Sequence, residues 1–418
     1  MPATHRLVKR IKEQHGVTTE LSAGDRLARR NAFILAAGSA LGGANASVVI
    51  ATGSLIGQAM APSPALATVP VTTFVLGTAL FAMPASNLMR AVGRRQGFTL
   101  GSLLGILAGL VGATAIWLGS FWLYSIATAL AGAYQSFIVL YRYAAADSAT
   151  PAFRPKAVSW VMAGGVAAAF VGPQLTIWTK DAFPPLLFLG TYLGQAAFAI
   201  IAMGVVSRFQ DTSLTAAELA GSDRPLREIL RDHRVKVAIL CGMTGQAMMN
   251  MVMTATPIAM IGCGFTVTES TLGIQWHVIS MFAPAFFTGS VIGRFGKGPV
   301  IAIGLVLLAL AGAINLAGIT LANFWGSLIV LGIGWNFAFT GATALLLDYH
   351  TPKERGRVQG FADFLIFGAT TLASFLAGYL YNIYGWSAVN WMVVPVTLFT
   401  FAMVFAVGLL KSPPKPAV

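Results

Sequence analysis

Apolar runs of roughly 20 to 30 residues, long enough to cross a hydrocarbon core about 30 Å thick as helices, alternate with short polar stretches along the chain. The pattern predicts spans near 31–60, 68–89, 98–118, 121–143, 157–179, 184–206, 235–261, 271–292, 298–318, 322–347, 358–382 and 388–410. Lipid offers no water to backbone N–H and C=O groups, so each span must satisfy its own, and a helix does that. The expected fold is an all-α membrane protein with twelve transmembrane helices. Composition agrees. Of the 418 residues only 10% are charged, against about a quarter in a soluble domain.

The net charge of +13 invites a nucleic-acid partner, and the placement of the charges removes that reading. With residues 1–30 inside, the even-numbered connections hold Arg90, Arg94 and Arg95, then Arg154 and Lys156, then Arg208 through Lys236. Arg294, Lys297, Lys353, Arg355 and Arg357 follow, and Lys411 and Lys415 close the chain. Of the 27 Lys and Arg, Lys180 alone is then predicted outside. That asymmetry is the positive-inside rule, so the basic balance reports orientation and contact with anionic lipid. Both termini are expected in the cytoplasm of a bacterial inner-membrane protein. No removed signal peptide is expected, since no short apolar segment with a cleavage site follows the basic start. Cys241 and Cys263 supply no disulfide framework.

An internal repeat divides the chain. Asp147, Thr150, Pro151 and Arg154 recur as Asp348, Thr351, Pro352 and Arg355, an offset of 201. Pro84-Ala85 and Gly93-Arg94 recur at an offset of 200, and Tyr134-Gln135 matches Trp335-Asn336. Matches at nearly one offset mark a duplicated unit. The predicted organisation is a cytoplasmic segment 1–30, a six-helix half 31–206, a linker 207–234, a second half 235–410 and a tail 411–418. Parallel six-helix halves are the plan of major facilitator superfamily (MFS) transporters, and the chain resembles that superfamily by motif as well. Its loop after the second span keeps the family's Gly-Arg-Arg ending as Gly93, Arg94 and Arg95 but lacks the preceding Asp-Arg. The usual latch of that face must therefore differ, and Asp147 and Asp348, facing Arg94 and Arg294, are the candidate replacements.

Six of the 15 methionines fall on the seventh span. At about 100° per residue, Met249, Met253, Met260 and Cys263 share one stripe about 80° wide. The eighth span brings His277, with Met281 one turn later. A buried histidine there needs a partner or a function. Helical rise puts Met249 and Met281 roughly 20 Å above the same boundary, and Met253 and His277 roughly 25 Å. Thioethers and an imidazole suit Cu(I) better than Zn, Mg or Mn. The first half carries Ala44, Val48, Gly77 and Phe81 at the matching places. Met-x-x-x-Met followed by His-x-x-x-Met resembles the CcoA-type copper importers of the superfamily. That resemblance implies Met249, Met253, His277 and Met281 as copper ligands, with Cys241, Cys263 and Met260 as a possible relay. It further implies copper, free or as a small complex, carried inward to supply cbb3-type cytochrome oxidase assembly.

Asp363 is the one acid well inside a span, and a coupling role stands against an ion pair with Arg357 or Lys353. Asn45, Gln58, Gln135, Gln174, Gln195, Gln246, Gln275 and Asn336 are expected chiefly to bridge helices. An organic-solute transporter with methionines as apolar lining is the alternative to copper import, and an assembly factor that does not transport is a third reading. No nucleophile–base set or nucleotide loop marks an enzyme. No resident cofactor is expected, and a monomer in the lipid bilayer is.

Overall fold

The computed structural model describes residues 23–149, 153–211, 224–351 and 354–410. Thr150, Pro151, Pro352, Lys353, the basic segment up to residue 22, most of the linker and the tail lie outside the described residues. The long helices of the first half are α1 (Ala23–Met60), α2 (Val69–Val92), α3 (Arg94–Leu118), α4 (Phe121–Val139), α5 (Arg154–Thr179) and α6 (Leu189–Val206). The second half has α7 (His233–Gly262), a broken helix α8a (Val267–Phe282) and α8b (Ala285–Phe295), α9 (Lys297–Ala317), α10 (Leu321–Leu346), α11 (Arg355–Tyr384) and α12 (Trp386–Ala406). A short helix, Tyr141–Asp147, extends α4. Among the described residues eleven helices are individually long and apolar enough to cross a membrane, and α8a with α8b, taken as one bent span, makes a twelfth. Twelve crossings return the chain to the face it started from, called here the terminal face.

The eighth span, expected as one helix, bends by 43° between α8a and α8b. Pro284 stands at the bend and caps α8b; it has no N–H to give and its ring crowds the carbonyl four residues back. Its counterpart Pro84 lies inside an unbroken α2. The linker ends in one helical turn, Leu226–Ile229, with Ile229 buried. The two turns that precede α3 and α9 repeat as well, with Gly93 at φ 87° and Gly296 at φ 89°, a region where a side chain is strained.

Packing repeats the duplication read from the sequence. In the first half α1 packs on α5, α2 on α4, and α3 on α4 and α6; in the second α7 packs on α11, α8a on α10, and α9 on α10 and α12. Glycine sets the closest approach. A Cβ at Gly132 would sit 2.0 Å from the Phe74 carbonyl oxygen, and one at Gly77 would sit 2.3 Å from that of Ala129. Helices in lipid gain no hydrophobic drive from meeting, so small residues that bring backbones together carry the association.

The halves meet where α2 faces α11, α5 faces α8a and α1 faces α7. Away from the terminal face, Thr72 Oγ1 donates to Ser374 Oγ at 3.2 Å, and Gln174 Nε2 donates to Gln275 Oε1 at 3.0 Å. Nearer the terminal face contact thins. A Cβ at Gly360 would meet only the Met83 methyl, at 3.9 Å, and Met83 is 69% exposed. The structure is closed on one face and loosened on the other.

Candidate functional site

The sulfur and imidazole side chains singled out in the sequence are buried in the second half. Met249, Met253, Met260 and Met281 belong to its apolar core. His277 is fully buried, and its Nδ1 lies 2.7 Å from the Leu328 carbonyl oxygen on α10. A carbonyl can only accept, so Nδ1 carries the proton and Nε2 presents a lone pair. Nε2 is buried and has no partner among the described residues. Cys241 is buried, Cys263 is exposed, and both are free. They occupy opposite ends of the continuous α7. Among the described residues no group of three or more His, Cys, Asp or Glu is placed to hold a metal ion.

The charged candidates form helix-end pairs. Arg94, at the start of α3, bonds Asp147 at the end of the helix that extends α4. In the second half Lys297, not the expected Arg294, takes Asp348, with Nζ 2.5 Å from Oδ1. The Arg294 guanidinium instead lies 5.4 Å from the centre of the Phe295 ring. Lys297 opens α9 beside the end of α10, where its chain reaches Asp348 without crossing the Gly296 turn. Asp363 lies in the field of Arg142, which belongs to the opposite half. Arg357, one of its two expected partners, donates through Nη1 to the Arg224 carbonyl at 2.8 Å. The other, Lys353, is outside the described residues.

The amides do bridge helices. Asn45 Nδ2 donates to the Ala131 carbonyl at 3.0 Å, and Gln195 Nε2 donates to Asn45 Oδ1 at 2.7 Å. Asn336 Nδ2 donates to the Met281 carbonyl at 2.7 Å. The space beside Asn45, Tyr134 and Gln195 within the first half has essentially no room for a water-sized sphere. Sites for drug-sized ligands run from about 300 Å³ upward, so this space is too small for such a ligand.

Two arrangements have no forerunner in the sequence reading. Glu354 accepts from Arg224 N, Nε and Nη2, each at 2.9 Å, and from Thr351 N at 2.9 Å. Its counterpart in the first half is Phe153; a lone acid opposite an aromatic, beside the repeated Thr-Pro, was the signal available. The second is aromatic. Trp335 stacks on Phe339 with centroids 5.2 Å apart, and Phe282 meets Trp335 edge-on at 6.4 Å. Trp335 Nε1 donates to Gln246 Oε1 at 2.6 Å. The sequence places Gln246 only among the amides expected to bridge helices.

Twelve crossings in two like halves, closed against each other on one face, define a polytopic membrane transporter. The Major Facilitator Superfamily profile matches residues 32–284 and again 247–418, and the chain belongs to that superfamily. It is similar to the riboflavin transporter RfnT of Brucella anthropi, 46% identical over 392 residues, covering 93% of this chain and 98% of the relative. Two uncharacterized MFS-type transporters of Bacillus subtilis, YddS and YdeG, are 29% and 28% identical over 82% and 81% of this chain, and over 82% and 83% of their own lengths.

A relative so similar along its whole length, and named for an organic molecule, overturns the expectation of copper import. Copper as substrate and the supply of cytochrome oxidase fall with it. The diagnostic motif covered two helices, whereas the similarity to RfnT covers nearly the entire chain. Methionine fills irregular gaps in cores, and Met249 at 2% exposure and Met253 at 3% are placed to do so. Leucine at either position should leave cellular copper accumulation unchanged and cost less than about 1.5 kcal/mol of stability. Copper uptake assays and thermal unfolding of the purified variants check both.

Proposed function

We propose that this chain is a secondary transporter of riboflavin or a closely related flavin, working in the bacterial inner membrane with both termini in the cytoplasm. The observation that carries this reading is the 46% identity, over 93% of the chain, with a riboflavin transporter. The orientation rests on the basic residues crowding the terminal face. In that orientation the Thr72–Ser374 and Gln174–Gln275 bonds hold the halves together toward the periplasm, and their contact thins toward the cytoplasm. Residues 31–206 and 235–410 would rock as two bodies, as in other parallel-repeat transporters. Asp363 and Arg142, on opposite halves, would draw together as the cytoplasmic side closes. Arg94–Asp147 and Lys297–Asp348 would hold helix ends within each half while they move. The protein needs no resident cofactor, performs no chemistry on its cargo and works as a monomer.

Counterflow tests this without assuming a direction. Liposomes holding the purified protein and preloaded with unlabelled riboflavin should accumulate labelled riboflavin transiently; protein-free liposomes should not. Absence of that overshoot, in a protein that is monodisperse and thermally stable, would sink the reading.

A further inference from the structure

Trp335, Phe339, Phe282 and Gln246 differ from the core around them in being only partly buried. They come from three helices: Gln246 from α7, Phe282 from the last residue of α8a, and Trp335 and Phe339 from one face of α10. The Trp335 and Phe339 planes are only 11° apart and one ring lies over the other, so the pair is a stack with an outer π face at each end. Phe282 closes one edge at 67° to Trp335. Its ring also lies 3.5 Å from where a Cβ at Gly165 of α5 would stand, so this cluster reaches the first half. The bend at Pro284 follows two residues later.

The polar part is equally directed. Gln246 Oε1 accepts the indole N–H at 2.6 Å, which fixes the amide plane against the aromatic surface. Its NH2 donates to no group among the described residues. A stacking surface with an oriented, unused donor at its edge matches one chemical class, a flat uncharged heteroaromatic ring with carbonyl oxygens on its rim. Stacked aromatic side chains hold such rings by their π faces, and hydrogen bonds at the rim fix their orientation.

We infer that Trp335, Phe339, Phe282 and Gln246 form the platform that recognises the planar ring of the transported solute, with Trp335 as its centre. This inference rests on the flavin reading above and names the residues that would carry it. Phe282 touches both the ring platform and α5, so its position would register whether the halves are together. The apolar, edge-polar character of the cluster sets specificity toward tricyclic carbonyl rings and against free sugar alcohols.

The test uses the whole protein in detergent and in liposomes, with riboflavin and with lumichrome, which keeps the tricyclic ring and lacks the ribityl chain. In the wild type both should bind, and lumichrome should inhibit riboflavin counterflow. Trp335→Ala should weaken binding of both probes roughly 10-fold, a loss of about 1.4 kcal/mol. Trp335→Phe, which retains a ring over Phe339, should weaken them less. Phe339→Ala is the second variant should Trp335→Ala fail to fold, and should weaken both probes in the same direction. Wild-type riboflavin counterflow with unchanged affinities in Trp335→Ala or Phe339→Ala would overturn this inference and leave the flavin reading standing. Lumichrome binding that depends on Trp335, in a protein that neither binds nor moves riboflavin, would keep the platform and discard the flavin reading. Binding of neither probe to folded wild type would discard both.

Discussion

Leucine in place of Gly378 should cut turnover roughly 5- to 150-fold, the range expected when about 1–3 kcal/mol of overpacking falls on one of two conformations. Gly378 is buried on α11 against the first half. A Cβ there would lie 2.2 Å from Thr68 Oγ1, 2.8 Å from Cγ2 and 3.0 Å from Cβ. Thr68 has little room to yield. It caps the start of α2, and its carbonyl accepts from Thr72 N at 2.9 Å and Thr72 Oγ1 at 3.1 Å. Thr72 in turn donates across the interface to Ser374. The clash exists only while the halves are together on this face, so the variant should favour the state in which they part. Ser374→Cys, introduced with Cys241 and Cys263 replaced by serine, should react slowly with a membrane-impermeant maleimide, since Ser374 is buried. Adding Gly378→Leu should make it react quickly from the face opposite the termini. Unchanged labelling together with unchanged turnover would show that the halves do not separate there.

Acid should loosen the junction between the linker and the second half. Hydrogen bonds from the Arg224 side chain and then from the Thr351 amide hold the Glu354 carboxyl well below the usual carboxylate range. The carboxylate is sealed by these immediate partners, although the site lies in a thin shell of protein at the terminal face rather than deep in the bundle. The sign of the linkage follows from that direction. A group whose pKa is depressed on folding contributes its full stability above its unfolded value, about 4.3 for glutamate. The contribution fades as pH falls from there toward the folded value. The wild-type thermal midpoint should exceed that of Glu354→Gln by a constant margin near neutrality. Below about pH 5 the margin should shrink. A margin that stays level down to about pH 3 would mean that Glu354 is not the group responsible.

Much of this architecture was readable before any coordinates. The twelve spans followed from run length alone, because the thickness of the hydrocarbon is a fixed ruler and every span must satisfy its own backbone. The duplication was visible in Asp147 and Asp348, and in Gly93-Arg94 and Gly293-Arg294, and the helix packing repeats it. The amides read as helix bridges make such bonds at Asn45, Gln195 and Asn336. The substrate was misread for an identifiable reason. Helical rise places Met249, Met253, His277 and Met281 at similar heights along their helices, but height says nothing about what each side chain faces.

Spacing and apolar run length are local quantities, and they decided the class of protein, the number of crossings and the two-half plan. Facing is not local. In a soluble helix the apolar stripe marks the packed side, whereas in lipid the packed side and the lipid side are both apolar, so periodicity loses its pointer. Only tertiary structure could therefore set the Nδ1 of His277 on the Leu328 carbonyl, bend the chain at Pro284 while leaving Pro84 in an unbroken helix, and bring Gly378 onto Thr68. The same holds for Trp335 and Gln246, 89 residues apart, which meet because α7 and α10 pack side by side.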